Sequence, residues 1–307
     1  MARPPLTRFY NVVTIASSPE EALNARSPRR QPRADRRGRG ADRALGDLYR
    51  DGITACRGAF DPAWVQQVGD DVAAAFAEAR SRPDGAVGRG PERWYVEIHP
   101  EQLGGFVELV THPWVVSVCE AVLGPEYEIV ELGFDIPFPG AAMQPWHRDF
   151  PMPEDTRRQR RLTSLAFNLT TVDTVEEMGP FEIAPGTQWD DGADFDHEMF
   201  PPRERYPRYQ QRAVRKYPQR GDISARSALT IHRGTPNVSR SARPVLVLGV
   251  DAPGAGNAAH HDMAVTRGSW ESLPPLVREH LPCHVVDRLE PIRQKHTIEG
   301  LVMGAAE

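Results

Sequence analysis

Four residues of this chain have types and positions that could do chemistry: His147 and Asp149 in MQPWHRDFP, His232 in ALTIHRGTPN, and Arg243 heading RPVLVLGV. Ionisable side chains in segments that otherwise read as half-buried strand are costly unless each finds a partner. If 143–150 is a strand, side chains alternate between faces, so His147 and Asp149 share one space and Arg148 points away from it. His232 ends an apolar strand just before a Gly-Thr-Pro-Asn turn and is the best third ligand. Two neutral imidazoles and one carboxylate make a facial triad that suits non-haem Fe(II) and leaves coordination positions open. An arginine opening an apolar strand needs an anion, and its planar fork fits a carboxylate held bidentately. A hairpin would lay the Arg243 strand beside the histidine strand, and the anion could be the far end of a cosubstrate.

The elements that must hold these residues can be read from periodicity and punctuation. Asp61 as N-cap and Pro62 at the first helical position start a helix in which Trp64, Val65, Val68, Val72 and Phe76 follow helical spacing. A second helix is expected over PWVVSVCEAVLG, stopped by Gly124 with Pro125 behind it. Beyond 126 the texture changes to short apolar runs broken by Gly and Pro: YEIVELGFDIPFPG, LTSLAFNLTTV, GPFEIAPGT, GDISARSALTIHRG and ARPVLVLGV. Such runs predict a sandwich or barrel, so the chain reads as mainly β with flanking helices, an α+β protein. The expected organisation is a mobile Arg- and Pro-rich leader over 1–43 and one domain over 44–307. That domain divides into a helical flank (44–125), a β core (126–253) and a C-terminal extension (254–307). The leader holds no hydrophobic period that could offset its ordering entropy.

Bulk properties exclude several classes. The chain has 307 residues, 40% of them apolar, enough for a sizeable core, and its net charge of −5 gives no basic field for nucleic acid or an acidic membrane. Neither partner is expected. Cys56, Cys119 and Cys283 are odd in number and lack a C-x-x-C pair, which argues against a disulfide framework or a cysteine zinc site and for reduced thiols. NVVTIA is too short for a signal-peptide core, and nowhere do about 18 apolar residues run together. The expected location is cytoplasmic.

With WHRD (His147, Asp149), GPFEIAPGTQW (Gly179 to Trp189), GD (Gly221, Asp222), IHRGTPN (His232, Asn237) and Arg243 in that order, the sequence resembles the phytanoyl-CoA dioxygenase family of Fe(II)/2-oxoglutarate oxygenases. H-x-D alone is a weak signal, and the ordered set is a strong one. The resemblance covers roughly 130–251 well and the preceding helices loosely. It implies a double-stranded β-helix, a cupin-like jelly roll, with iron at one open end. It also implies Fe(II), 2-oxoglutarate and O2 as cofactor and cosubstrates, and hydroxylation of an unactivated C–H bond of a small molecule with succinate and CO2 as coproducts, commonly in natural-product metabolism. On the same grounds Arg243 would pair with the distal carboxylate of 2-oxoglutarate. Relatives that halogenate have a small residue where this chain has Asp149, so oxygen transfer is favoured. Gln188 departs from the family, which often has histidine there, and puts the neighbouring loop in doubt.

Further residues have bland alternatives. Asn168 and Thr170 could hydrogen-bond the cosubstrate, although ordinary strand polarity explains them nearly as well. Trp94, Tyr95, Trp146 and Trp189 are candidates for the substrate pocket, with core packing as the alternative. Arg148 could pair with an acidic residue on the outer face, and Gln144 would face away from the site unless a bulge at Pro145 turns it inward. QWDDGADFDHEMF fits no Ca2+ loop and reads as a solvated lid. WESLPPLVREHL is weakly amphipathic and would support a homodimer contact or close the pocket. Three readings of different classes follow: an oxygenase, a noncatalytic cupin-like binding protein, and a zinc hydrolase. The last lacks a second carboxylate placed as general base. The same iron centre also serves desaturation, cyclisation and epimerisation.

Overall fold

Asp61 caps a helix as expected: its carboxylate accepts from the backbone N–H groups of Ala63 and Trp64, and Pro62 occupies the first turn. In the computed structural model, which describes residues 33–295, this is the second helix of the chain. The first half runs α1 (Arg33–Asp51), β1 (Ile53–Cys56), α2 (Pro62–Arg80), β2 (Val87–Gly88), β3 (Arg93–Glu97), α3 (Phe106–Val110), α4 (Pro113–Leu123), β4 (Glu128–Pro137), α5 (Glu154–Gln159) and β5 (Ser164–Thr170). The second half runs β6 (Phe181–Ile183), α6 (Tyr206–Arg212), β7 (Val214–Lys216), β8 (Ile223–Ser227), β9 (His232–Gly234), β10 (Val245–Asp251), β11 (Ala264–Thr266), α7 (Arg267–Ser272), α8 (Pro275–His280) and β12 (His284–Val286).

Two sheets face each other. The larger has the order β1-β8-β5-β10-β4-β3-β2, antiparallel throughout, and the smaller is β7-β6-β9. Side-chain alternation gives the large sheet two distinct faces. On β4, Leu132, Phe134 and Ile136 enter the main core with Leu246 and Leu248 of β10, Leu165 and Phe167 of β5, and Leu48, Val68, Val72, Val118 and Cys119 of the covering helices. The intervening Asp135 of β4, Asn168 and Thr170 of β5, Ser224 and Arg226 of β8 and Val245 and Val247 of β10 line a cavity between the sheets. The layers are therefore helices, large sheet, cavity, small sheet.

Several expectations need correction. Helix α1 begins at Arg33, so the part of the presumed leader from 33 to 43 is helical; residues 1–32 lie outside the described residues. The helix is anchored at its other end, where Ala44 and Leu48 are buried in the core, and arginine and alanine are good helix formers. The flank also contributes to the large sheet, with β1 at one edge and β2 and β3 at the other. The stretch 143–150 is not a strand: it makes an isolated bridge between His147 and His232, and Asp149 N–H turns to the Ala228 carbonyl at 2.9 Å. Nor do β9 and β10 form a hairpin. They belong to different sheets, because Pro236 and the Asn237 turn carry the chain from one layer to the other.

The C-terminal extension contributes to the core rather than standing apart. Met263, Val265, Val277 and Leu281 are all core members, and His280 stacks on Tyr127 while its Nδ1 lies 2.7 Å from the Tyr127 carbonyl. The WESLPPLVREHL segment thus buries its apolar side within its own chain. Among the described residues the three cysteines are free, and no helix is long and apolar enough to cross a membrane.

Candidate active site

His147 and His232 are brought together by backbone hydrogen bonds between their own residues, each N–H donating to the other's carbonyl, at 3.0 and 2.8 Å. The pairing places the two imidazole centroids 4.4 Å apart. Each ring is fixed through Nδ1, which lies 2.9 Å from the Pro145 carbonyl in His147 and 2.8 Å from the Thr230 carbonyl in His232. An Nδ1–H donated to a carbonyl leaves the Nε2 lone pair free, the tautomer a metal-ligating histidine requires. Asp149 completes the group: ligand atoms of His147, Asp149 and His232 all lie within 4.8 Å of one another, and Asp149 Oδ1 is 3.4 Å from His232 Nε2.

Protonation agrees with ligation. Burial pushes the His147 imidazole down to about 4 against the weaker pull of the Pro145 carbonyl and Asp149. Burial, with the Arg226 cation beside it, pushes His232 well down too. Both are neutral near pH 7. Burial alone would raise the Asp149 carboxyl, but Arg226 and the two histidines outweigh it and bring it down to about 2. Arg226 Nη1 donates to Oδ2 at 2.5 Å and Nη2 to Oδ1 at 3.3 Å. About a third of the Asp149 side chain is accessible (31%) while the histidines are buried. Such a donor set, two free Nε2 atoms and a charged carboxylate, fits Fe(II).

The cavity measures about 310 Å³ and is lined by all three of these residues and by Arg243, Asn168 and Thr170. Arg243 lies two residues before β10, and its backbone N–H and the Asn237 side-chain amide both donate to the Pro137 carbonyl, at 3.1 and 3.0 Å. Asn237 thereby fastens the turn that delivers the arginine. The Arg243 side chain is 3% exposed and donates from Nε to the Met178 carbonyl at 3.2 Å. Burial and the like charge of Arg93 bring it down to about 10, against the pull of Asp135, so it is a cation at neutral pH. Thr170 donates its hydroxyl to the Val172 carbonyl at 3.0 Å.

Sequence reasoning missed two buried cations of the cavity. Arg93, on β3, is 3% exposed, and its Nε and Nη2 have no hydrogen-bond partner; its closest carboxylate is Asp135 at 3.9 Å. Arg226 holds Asp149. Both sit in runs whose alternation was visible, RWYVE and ISARS, and an arginine on the buried phase of a strand was the available signal.

Other candidates fall elsewhere. None of Trp94, Tyr95, Trp146 and Trp189 lines the cavity. Trp94 alternates to the opposite face of β3 from Arg93 and carries the Arg80 guanidinium on its ring at 3.7 Å. The Tyr95 hydroxyl bonds Glu131. Trp146 is fully buried in a small second core with Ala184, Phe195, Tyr209 and Ile231. Trp189 donates from Nε1 to the Tyr49 carbonyl at 3.1 Å, beside Gln188, whose amide donates to the Leu48 and Tyr49 carbonyls. These side chains satisfy carbonyls at the end of α1, which is why glutamine serves at 188. Gln144 does turn inward: it lines the cavity, and its Oε1 accepts from the Gly234 N–H at 2.9 Å.

Arg148 finds no acidic partner on an outer face. It is 1% exposed and donates to the Glu198 and Asp190 carbonyls at 2.8 and 3.2 Å. The acidic loop is pinned at Asp190 and its apolar residues, while Asp191, Asp194, Asp196 and His197 stay exposed as expected of a solvated loop. Asp190 is bonded by Arg208 at 2.7 Å and Tyr209 at 3.3 Å, and Phe195 and Met199 are buried.

A jelly roll with two imidazoles, a carboxylate and a buried arginine lining one cavity has the layout of an Fe(II)/2-oxoglutarate oxygenase. The phytanoyl-CoA dioxygenase (PhyH) family model matches residues 48–245, and the chain belongs to that family. It is thus an Fe(II)/2-oxoglutarate-dependent dioxygenase, with iron and 2-oxoglutarate as cofactor and cosubstrate, rather than a noncatalytic shell or a zinc hydrolase. No curated protein matches it in sequence. In structure it is similar to EctD from S. alaskensis, solved with 2-oxoglutarate and 5-hydroxyectoine, at 16% identity over 68% of this chain and 75% of that one, TM-score 0.55. It is also similar to the epimerase SnoN, solved with Fe3+, alpha ketoglutarate and nogalamycin RO, at 21% identity over 71% and 92%, TM-score 0.53. A third is the carbocyclase SnoK from nogalamycin biosynthesis, at 19% identity over 71% and 88%, TM-score 0.55. At these identities the likeness speaks for the fold alone.

Proposed function

We propose that the chain hydroxylates an unactivated C–H bond of a small molecule in natural-product metabolism. In this reading it holds Fe(II) through His147, Asp149 and His232 and the distal carboxylate of 2-oxoglutarate through Arg243. The observation that carries the reading is that the three-ligand cluster and a buried, incompletely bonded arginine line one cavity. Bound iron with 2-oxoglutarate and dioxygen supplies the oxidant for the C–H bond, and succinate and CO2 are the coproducts.

The chain's own residues do the positioning. The Pro145 and Thr230 carbonyls keep the imidazoles turned with Nε2 toward the cavity, and burial keeps them neutral. The Arg243 fork fits a carboxylate and sets how far the cosubstrate reaches, with Arg93 beside it as a second cation and Asn168 and Thr170 along its side. Asp149 fills the position a halide would need, which favours oxygen over chlorine transfer. Desaturation, cyclisation or epimerisation is the second reading, favoured by an epimerase and a carbocyclase among proteins of the same fold.

The test is succinate release by the purified protein across a panel of small molecules, with product masses taken in high chloride. A gain of one oxygen supports hydroxylation. Loss of two hydrogens or an unchanged mass moves the chain to the second reading, and a chlorinated product would refute the role given to Asp149.

A further inference from the structure

Arg226 rises from β8, the strand next to the β1 edge of the large sheet, toward Asp149. Alternation on β8 turns Ser224 and Arg226 into the cavity, and the partner of Arg226 on β5 is Ala166, too small to obstruct the guanidinium. The side chain is 6% exposed and lies 5.6 Å above the Phe181 ring. Its bonds to Asp149 are unequal, with Oδ2 engaged at 2.5 Å and Oδ1 at only 3.3 Å. Oδ1 is also the oxygen 3.4 Å from His232 Nε2. The Arg226 Nε has no partner.

We infer that Arg226 is a positioning residue for the metal centre: it holds Asp149 by Oδ2 and thereby presents Oδ1, as a single-oxygen ligand, to the space facing the two imidazoles. The inference rests on His147, Asp149 and His232 being the ligand set. A carboxylate free on both oxygens can chelate a metal through both or rotate away from it. A guanidinium, which does not deprotonate in proteins, removes that freedom at any working pH. Leaving two coordination positions for 2-oxoglutarate and one for dioxygen requires that the carboxylate take only one. Placing a cation beside a divalent metal weakens metal binding through repulsion, whereas orienting the ligand strengthens it. Loss of outer partners of metal ligands usually lowers affinity by about 10- to 100-fold, so orientation is expected to win.

Anaerobic Fe(II) titration of the parent, Arg226→Met and Arg226→Lys tests this, with 2-oxoglutarate added afterwards to read the metal-to-ligand absorbance. Arg226→Met is expected to bind Fe(II) about 10- to 100-fold more weakly and to shift the absorbance, and Arg226→Lys to recover part of both. A chemical rescue separates positioning from general support. Formate should restore iron binding to Asp149→Ala, where Arg226 can hold it, and should fail in Asp149→Ala/Arg226→Met. Arg226→Met with the parent's affinity and absorbance overturns the inference, as does equal formate rescue with and without Arg226. If Arg226→Met does not fold by circular dichroism, Arg226→Lys and the single-variant rescue decide. There, an Arg226→Lys indistinguishable from the parent, or an Asp149→Ala that formate leaves unrescued, overturns it. A parent that binds no Fe(II) at all overturns the ligand set itself, a different result from any of these.

Discussion

The metal cluster and the Arg93–Arg243 region of the cavity are built on different principles. At the cluster the protein meets most of the polar atoms: both Nδ1 atoms by carbonyls, and Asp149 by Arg226, chiefly through Oδ2, with the Arg226 Nε alone left over. Around Arg243 it does not. Arg93 Nε and Nη2 and Asp135 Oδ1 have no partner, and Arg243 has one bond, from Nε. Buried polar groups are ordinarily paired, so on the proposed function these unpaired cations are where the cosubstrate carboxylate would supply the missing acceptor. One region is organised before anything binds, and the other is completed by its ligand. Substitutions at the first should therefore remove function outright, and those at the second should weaken ligand binding by degrees.

The largest effect is expected at the preorganised region. Replacing His147, Asp149 or His232 by Ala should abolish succinate formation while circular dichroism shows a folded chain; turnover surviving in any of the three would break the contrast. Next comes the ligand-completed region. Arg243→Ala should weaken 2-oxoglutarate binding by about 2 to 5 kcal/mol, the typical consequence of unpairing a desolvated charged partner. Arg243→Lys should recover only part, because an ammonium lacks the bidentate fork. Calorimetric affinities for the parent and the two variants check this.

The same contrast explains what was legible in the sequence. The triad and Arg243 stood out because each is an ionisable residue in an apolar run. Helices α2 and α4 were legible because Asp61-Pro62 and Gly124 are local stop and start signals. Arg226 was not assigned, because its partner lies 77 positions away and only strand register brings the two together. Arg93 was passed over for its aromatic neighbours, although alternation turns Arg93 inward and Trp94 outward. The β9–β10 hairpin failed because sequence spacing does not reveal that a turn changes sheets, and Arg148 failed because its partners are backbone carbonyls that no side-chain pattern signals.

A smaller effect concerns pH. His147 has a folded value near 4 against about 6.5 in an unfolded chain, and His232 is shifted the same way. Below 6.5 the unfolded state takes up protons that the buried imidazoles refuse, so the metal-free protein should lose stability as pH falls from 6.5 toward 4, with full stability above that window. His147 alone accounts for about 3 kcal/mol of this. Thermal melts of the metal-free parent and His147→Asn should show a shallower slope in the variant; identical slopes would place the imidazole in water. The smallest effect should come from Arg240→Ala. Arg240 is exposed, and its loss should leave 2-oxoglutarate affinity unchanged.

The most direct test of the two-region account is anaerobic titration with Fe(II) and then 2-oxoglutarate, followed by metal-to-ligand absorbance. The parent should bind one Fe(II) per chain and develop the band on adding cosubstrate. Arg243→Ala should take up iron like the parent and require more 2-oxoglutarate for the same band, whereas His232→Ala should lose both. Undiminished iron affinity in His147→Ala, Asp149→Ala and His232→Ala, or an Arg243→Ala that reaches its band at the parent's 2-oxoglutarate concentration, would contradict the account.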